Sequence, residues 1–339
     1  EAIEAALKFV RAARPDAGTI INFSRAYHGK TFGALSLTPN SEYQKPFAPF
    51  PGDTRTLEYG NAQLLEDTLR SVGGRNVAAV FVEPVQGEAG VRLPDPGFLR
   101  ALGEIAGRHG VPVVADEIQS GLGRTGHWFA SLAAGLEPDL ITLAKPLSGG
   151  LLPIGATIVR KQIAGKLLGG LNSRRHSTTF GGGSFATAVA LRSLELIVEE
   201  GLVERSRRLG ERGLSRLQGI AERYPGFVTE VRGAGMLFAL DLGNLVPPVL
   251  LPGQKELVRL FGSALALRTF HYGGIHACFS LNASGVIRLT PALNMPEETL
   301  DELFDRVERI AEKHPQAWRM LAKFPPTALA RLGRLAGKG

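Results

Sequence analysis

The sequence has little of what a disulfide-stabilised or membrane-spanning protein requires. Cys278 is the only cysteine among 339 residues, so no disulfide can form within the chain. A single cysteine fits a reducing compartment, and we expect a cytoplasmic protein. No apolar run approaches the roughly 18 residues of a transmembrane helix, and no signal-peptide pattern opens the chain. The composition, with 44% hydrophobic and 21% charged residues, is typical of a globular protein.

The net charge of +7 is concentrated at one end of the chain. From Lys313 onward there are six Lys or Arg and no Asp or Glu, which marks residues 314–339 as a basic C-terminal tail. Proteins that bind nucleic acid carry a basic stripe, a stacking platform or a zinc pattern on the body of the domain, and this sequence has none of them. We therefore predict no nucleic-acid partner. Residues 327–335 suit docking on their own domain, on a partner or on an anionic surface.

Three short apolar runs, at 77–82, 111–115 and 140–144, predict strands that are buried on both faces of a sheet. Helical segments at 62–72 and 97–109 separate them. This alternation indicates an α/β fold with a mostly parallel central sheet flanked by helices.

Other segments complete the predicted domains. Residues 19–23 and 153–159 are predicted as further strands, the latter antiparallel, and residues 38–60, rich in Pro and Gly, as a loop with little regular structure. The pattern changes near Gly201, so we predict a large domain at 1–200 and a smaller α+β domain at 201–313. The smaller domain is predicted to contain helices at 205–224 and 296–313 and strands at 228–231, 236–242 and 286–289.

Charged residues follow the predicted strands. Asp116 and Lys145 end two of the apolar runs, and Glu83 follows a third. Ligands of open α/β sheets bind outside the carboxyl ends of the strands. An acid and a lysine at this edge are compatible with a structural ion pair. They are also compatible with a pyridoxal phosphate site, where a lysine amine condenses with the aldehyde and a carboxylate keeps the pyridine nitrogen protonated.

Six segments, spread over almost the whole chain, combine such charged residues with glycines and hydroxyls. They are Tyr27-His28-Gly29, E-P-V-Q-G-E-A-G from Glu83, A-D-E-I-Q-S-G-L-G-R-T-G from Ala115, L-A-K-P-L-S-G-G from Leu143 with P-I-G-A, H-S-T-T-F-G-G from His176, and I-R-L-T-P from Ile287. In this order they resemble the class III aminotransferases. The resemblance implies fold type I and the cofactor pyridoxal 5'-phosphate.

The resemblance also implies roles for individual residues. Lys145 would bond to the cofactor aldehyde and later transfer a proton, and Asp116 would pair with the pyridine nitrogen. Gln119 would bind the ring hydroxyl. Tyr27, stacked on the ring, and His28 belong to the cofactor-binding segment.

Four further residues acquire roles in the same way. Thr179 would bind the phosphate of the neighbouring subunit's cofactor, which implies a homodimer with a shared active site. Arg288 would bind the carboxylate of 2-oxoglutarate or glutamate, and Glu88 would neutralise it when the bound amine lacks that carboxylate. Glu83 would line the same substrate pocket.

The most similar branch is that of the putrescine and diamine aminotransferases, through K-P-F-A-P-F-P-G from Lys45, Lys30 and the segment S-L-N-A. We expect a ping-pong transfer from a small-molecule amine donor to 2-oxoglutarate. The alternatives are an aminomutase or epimerase on the same fold, or a non-catalytic partner subunit. In the family, the helix like the one that begins at Glu1 follows a phosphate-binding turn, so we expect the N-terminal portion to be missing.

Overall fold

A computed structural model of the chain describes residues 1–243, 245 and 255–323. Two compact units are distinguished in it. The first consists of Glu1–Gly87 and Arg92–Arg205, and the second of Glu88–Val91 and the described residues from Ser206 onward. The apolar tail segment predicted at 327–335 lies outside the described residues.

The first unit is built on a six-stranded sheet. Its strands are β1 Thr19–Phe23, β2 Asp53–Leu57, β3 Val77–Val82, β4 Val113–Asp116, β5 Leu140–Leu143 and β6 Ala156–Val159. They lie in the order β2-β1-β3-β4-β5-β6, and each neighbouring pair is parallel except β5 and β6. The predicted mostly parallel sheet is confirmed, and so is the antiparallel direction of β6.

Helices cover both faces of this sheet. The α-helices of this unit are α1 Ala2–Ala13, α2 Phe32–Ser36, α3 Ser41–Gln44, α4 Ala62–Val72, α5 Phe98–Arg108, α6 Ala130–Ala133, α7 Lys161–Leu168 and α8 Ser184–Glu199. The buried side chains of α4 and α5 pack on one face and those of α1 and α7 on the other. Helix α4 is capped at its N-terminus by Asn61, whose side chain accepts a hydrogen bond from the backbone N–H of Leu64.

The central strand β3 shows why the apolar runs do not alternate. Val80 and Val82 pack with α4 and α5, whereas Ala79 and Phe81 pack with α1 on the opposite face. Successive side chains of a strand point to opposite faces, so a strand covered on both sides requires apolar residues at every position. All six residues of β3 are buried.

The prediction of little regular structure at 38–60 was wrong, because this segment contains the edge strand β2. Three of the five residues of β2 are exposed, and all but the buried Leu57 are polar. Its parallel pairing with β1 is supported by side-chain hydrogen bonds from Thr19 to Asp53 at 2.9 Å and from Thr56 to Asn22 at 2.7 Å. An edge strand with a polar surface lacks the apolar pattern by which strands are predicted.

The described part of the second unit contains a four-stranded antiparallel sheet and three long helices. The strands β7 Glu230–Ala234, β8 Leu237–Asp241, β9 Cys278–Ser280 and β10 Ala283–Leu289 lie in the order β7-β8-β10-β9. The helices are α9 Leu202–Arg223, α10 Lys255–Tyr272 and α11 Glu297–Lys313. The strand predicted at 228–231 begins two residues later, at Glu230, where the pairing with β8 starts. All five residues of β7 pair with β8.

The arginines of α9 form a row of ion pairs with the acids of α11. Arg212 lies 2.8 Å from Asp301, and Arg216 lies 2.9 Å from Asp305 and 2.8 Å from Glu308. Both arginine side chains remain 43% exposed. The arginine-rich face of α9 is therefore a solvated, paired surface.

Candidate active site

Three adjacent parallel strands bring charged residues to the same edge of the first sheet. Strand β4 ends at Asp116, Glu83 directly follows β3, and Lys145 lies two residues after β5. Strand β4 pairs with both β3 and β5, and Asp116 lies opposite Thr142 in this register. The predicted convergence of these residues at the carboxyl edge follows from the strand order.

The carboxylate of Asp116 is buried and held in one orientation. Its Oδ2 atom lies 2.8 Å from Nδ1 of His28. Its Oδ1 atom accepts the backbone N–H of Ile118 at 3.1 Å and the hydroxyl of Thr142 at 3.2 Å. A carboxylate with several partners keeps a fixed position, and its negative charge is compensated in a region that water does not reach.

His28 is positioned by its backbone and by the sheet. Its N–H donates to Oγ1 of Thr38 at 3.0 Å, and its ring meets Phe81 edge-on, with ring centroids 6.0 Å apart. The ring is buried, and Nε2 has no hydrogen-bond partner among the described residues. The His28 ring therefore makes its hydrogen bond through Nδ1, to Asp116.

Lys145 has an unusual backbone conformation. Its φ is 39°, in the left-handed region that non-glycine residues rarely adopt, and its side chain is exposed. The residue begins a 3-10 turn, Lys145–Ser148, with a proline at its second position. Strain of this kind is concentrated at functional sites, where the surrounding structure maintains it. Thus the strained turn fixes the backbone from which the Lys145 side chain extends at the end of β5.

Glu83 and Tyr27 are linked at the neighbouring strand end. The backbone N–H of Tyr27 donates to Oε2 of Glu83 at 3.0 Å, and the carboxylate is buried. The hydroxyl of Tyr59 donates to the backbone carbonyl oxygen of Glu83 at 3.0 Å. Burial, and then the negative charge of Glu83, raise the pKa of the Tyr59 phenol well above its usual value, so it remains a hydrogen-bond donor.

Gln119 is packed directly on a glycine of the E-P-V-Q-G-E segment. A Cβ atom built on Gly87 would overlap Oε1 of Gln119. The absence of a side chain at Gly87 therefore allows Gln119 to reach its position beside β3 and β4.

Thr179 lies apart from these contacts, in the turn that precedes α8. Its side chain is exposed, as is that of the adjacent Phe180, which is 90% exposed.

Glu88 and Arg288 form a buried ion pair within the second unit. Nη2 of Arg288 lies 2.7 Å from Oε1 of Glu88 and donates to the carbonyl oxygen of Phe279 at 3.2 Å. The other carboxylate oxygen of Glu88 accepts the backbone N–H of Leu281 at 3.0 Å. The guanidinium is thus compensated by one carboxylate that is itself fixed to the turn between β9 and β10.

Sequence reasoning missed the residues that hold the predicted ones. Thr142 and Thr38, which support Asp116 and His28, are ordinary residues of a strand and a loop. Glu117 is almost fully buried and accepts the backbone N–H and hydroxyl of Ser131 and the hydroxyl of Ser120, while burial raises its pKa. In the sequence, its position directly after Asp116 could have indicated that Glu117 supports the site.

The residues present fit pyridoxal phosphate. A buried, oriented carboxylate at the end of β4 supplies a fixed negative charge, and an exposed primary amine at the end of β5 is available for an aldehyde. Lys145, Asp116, Gln119 and Tyr27 are the residues that would hold the cofactor.

Neither a metal centre nor a membrane span is found in the described parts of the chain. Within 1–243, 245 and 255–323, no group of three or more His, Cys, Asp or Glu is placed to hold a metal ion. None of the helices described there is long and apolar enough to cross a bilayer.

Comparison with known proteins identifies the family. The class-III aminotransferase model matches residues 1–311. The ornithine aminotransferase of Toxoplasma gondii is 29% identical, with a TM-score of 0.81 over 93% of this chain and 71% of that one.

Two further solved structures show comparable agreement. A PLP-bound amine transaminase from an uncultivated Pseudomonas species is 26% identical, with a TM-score of 0.82 over 92% of this chain and 74% of that one. An (S)-enantioselective omega-transaminase from Thermomicrobium roseum is 27% identical, with a TM-score of 0.82 over 92% and 72%. The chain belongs to the class-III aminotransferases, which are pyridoxal phosphate-dependent transaminases of fold type I.

Proposed function

We propose that this transaminase moves the amino group of a diamine or another ω-amino compound to 2-oxoglutarate by a ping-pong mechanism. The observation that carries the proposal is the buried ion pair between Glu88 and Arg288, with its 2.7 Å contact. A ping-pong transaminase binds two substrates in turn at one site. Here one of them carries a carboxylate that the other lacks.

The ion pair suits such alternation. The planar guanidinium of Arg288 is a natural receptor for a substrate carboxylate, which it binds through two parallel hydrogen bonds. A diamine offers no carboxylate at this position, and an uncompensated buried guanidinium would be costly. Glu88 removes this cost while the amine is bound.

The strand-end residues carry the proton transfer. Bound pyridoxal phosphate supplies an electron sink for the carbon that loses its proton. In the proposed cycle Nζ of Lys145 would take the proton from the amine-bearing carbon of the substrate and hold it for its later transfer. The negative charge of Asp116, held by His28, would keep the pyridine nitrogen protonated, and the carboxylate of Glu83 would contribute to the pocket wall.

The substrate class is inferred from sequence and similarity. The similarity to an ornithine aminotransferase and to an omega-transaminase supports a donor with a terminal amine. The loop that begins at Lys45 and the segment S-L-N-A support the putrescine and diamine branch. Lys30 stands where ornithine enzymes have an arginine, which argues against ornithine as the donor. Its Nζ atom lies 4.3 Å from the ring centroid of Tyr43.

The single Cys278 supports a cytoplasmic location.

The homodimer is supported by exposed apolar side chains on the first unit. Five large ones, Leu151, Leu171, Phe180, Phe185 and Leu191, are 60 to 99% exposed. Exposed apolar side chains of this size favour contact with a partner. Thr179 precedes Phe180, so a second copy that covers Phe180 would contact the threonine turn.

The first experiment tests the reaction. We expect purified protein with pyridoxal phosphate to form glutamate from 2-oxoglutarate with putrescine as the donor, with parallel lines in a two-substrate rate analysis. Arg288→Met should abolish the response to 2-oxoglutarate, whereas the absorbance change caused by putrescine remains. Arg75→Met, on an exposed arginine of the first unit, should change neither. Turnover without any keto acid would instead favour an isomerase.

The second experiment tests the shared site. Lys145→Ala and Thr179→Ala subunits should each be nearly inactive alone. After mixing and exchange, a heterodimer retains one site with both native residues, so about a quarter of the wild-type activity should return. Failure of the mixture to regain activity would place Thr179 with the cofactor of its own subunit and contradict the shared site.

A further inference from the structure

We propose that the second unit binds a small molecule carrying two or more phosphate groups, in a basic cavity between α10 and α11. This α10–α11 cavity has a volume of about 480 Å³, within the usual range of small-molecule sites. Its lining residues come from the last turns of both helices and from the turn that follows α11. The basic ones are Arg268, Arg306, Arg309, Lys313 and His314.

Helical spacing explains why these side chains share a cavity. On α10 the lining residues Leu265, Arg268 and Tyr272 follow one another at intervals of three and four. On α11 Arg306, Arg309 and Lys313 do the same. Residues three and four apart lie on one face of a helix, so α11 turns a basic stripe toward the cavity, and α10 contributes Arg268 from the facing side.

The cavity has a strong excess of positive charge. Among the described residues that line it, four are Arg or Lys and none is Asp or Glu. Like charges that converge on a concave surface repel one another and create a positive potential there. Arg side chains also match phosphate geometry with paired hydrogen bonds, so a polyanion relieves this repulsion and gains contacts.

The partial negative charges at the C-termini of the two helices account for only part of this positive charge. Basic groups near a helix C-terminus stabilise its partial negative charge. Arg306 acts in this way, because its Nη1 lies 3.4 Å from the carbonyl oxygen of Gly274, and its Nη2 is 2.6 Å from Glu302. Arg309 and Lys313 line the same cavity with exposed side chains and add positive charge to it.

The apolar and aromatic residues of the cavity lining indicate a ligand that carries other groups besides phosphate. Leu265, Ile310 and Met320 are buried apolar side chains in the lining. Tyr272 is 76% exposed, with the guanidinium of Arg268 lying 5.2 Å from its ring centroid. Planar groups stack on such an arrangement of ring and guanidinium. The chemistry therefore fits an inorganic polyphosphate and fits a nucleotide better.

Calorimetric titration of the holoenzyme with pyrophosphate, tripolyphosphate and ATP tests the proposal. The bound cofactor keeps the probes from the groups that hold its own phosphate, and the readout does not depend on transaminase activity. We expect saturable binding that Arg309→Gln with Lys313→Gln weakens at least about tenfold, through loss of two charge-assisted contacts. Both side chains are exposed, so this variant should fold normally.

A charge-matched control separates a built site from general attraction. Arg75→Gln with Arg100→Gln removes two exposed positive charges from the first unit and should leave binding unchanged. Tyr272→Ala should weaken ATP alone if a nucleotide is the ligand, and should weaken no probe if an inorganic polyphosphate is. An equal loss in the control variant, or no binding by the wild-type holoenzyme, would overturn the proposal.

Discussion

Oδ2 of Asp116 lies 2.8 Å from Nδ1 of His28, and both side chains are buried. The two residues are 88 positions apart in the chain. The sheet brings them together, since His28 follows β1 and Asp116 ends β4. This contact fixes the Asp116 carboxylate, which we propose pairs with the pyridine nitrogen of the cofactor.

Replacing His28 by Ala should loosen the cofactor. Asp116 would keep its contacts with Ile118 and Thr142 but lose the partner of Oδ2, and one buried hydrogen bond to a charged group contributes about 1.5–3 kcal/mol. We expect the dissociation constant for pyridoxal phosphate to rise at least about tenfold. An absorbance titration measures it, with the exposed His276→Ala as the control. Unchanged affinity would show that His28 does not position the carboxylate.

Gly87→Ala should disturb the cofactor site without unfolding the protein. The new Cβ atom would overlap Oε1 of Gln119, so the glutamine must leave its position. We expect weaker cofactor absorbance and lower transaminase activity at a nearly unchanged melting temperature. Gly107→Ala is the matched control. It lies in α5 with open space around a Cβ, and it should stabilise the protein by about 0.5–1 kcal/mol. Equal activity of both variants would show that the position of Gln119 is unimportant.

The stability of the first unit should depend on Glu66 in acid. Hydrogen bonds from Arg108, His109 and Arg70 lower the pKa of this carboxyl from 4.5 to about 2. Because the pKa of the folded state is the lower one, the stabilisation is present above pH 4.5 and is lost as the pH falls to about 2.

Urea unfolding of the wild type and Glu66→Gln, from about pH 6 down to about pH 2, measures this dependence. The variant should be less stable at the upper end, and the difference should shrink below pH 4.5. Glu104→Gln, on an exposed position of α5, should show no such change. A difference that stays constant over the whole range would contradict the ionic role of Glu66.

The ion pairs between α9 and α11 should contribute little individually. Arg216 contacts Asp305 and Glu308 with a side chain that is 43% exposed, and such pairs contribute about 0.2–1 kcal/mol each. We expect Arg216→Met to lower the free energy of unfolding by about 1 kcal/mol or less, and less still in about 1 M NaCl. Denaturant unfolding at both salt concentrations measures this. A larger, salt-independent loss would indicate apolar packing of the arginine stem.

The sequence by itself determined the main sheet of the first unit and the residues at its carboxyl edge. Strand β3 is an unbroken apolar run, and β4 and β5 are mostly apolar, because both faces of the sheet are covered. Local composition records such burial directly. Lys145 and Asp116 were evident because polar residues interrupt these runs. The motifs around them were sufficient to predict the family.

Only the tertiary structure decided which distant groups support these residues. The contact of His28 with Asp116, the polar edge strand β2 and the α10–α11 cavity leave no periodic pattern in the sequence. Each depends on elements from separate parts of the chain that meet only after folding. Local patterns report how much of a segment is buried, whereas the partner of a buried polar group is set by the packing of the whole unit.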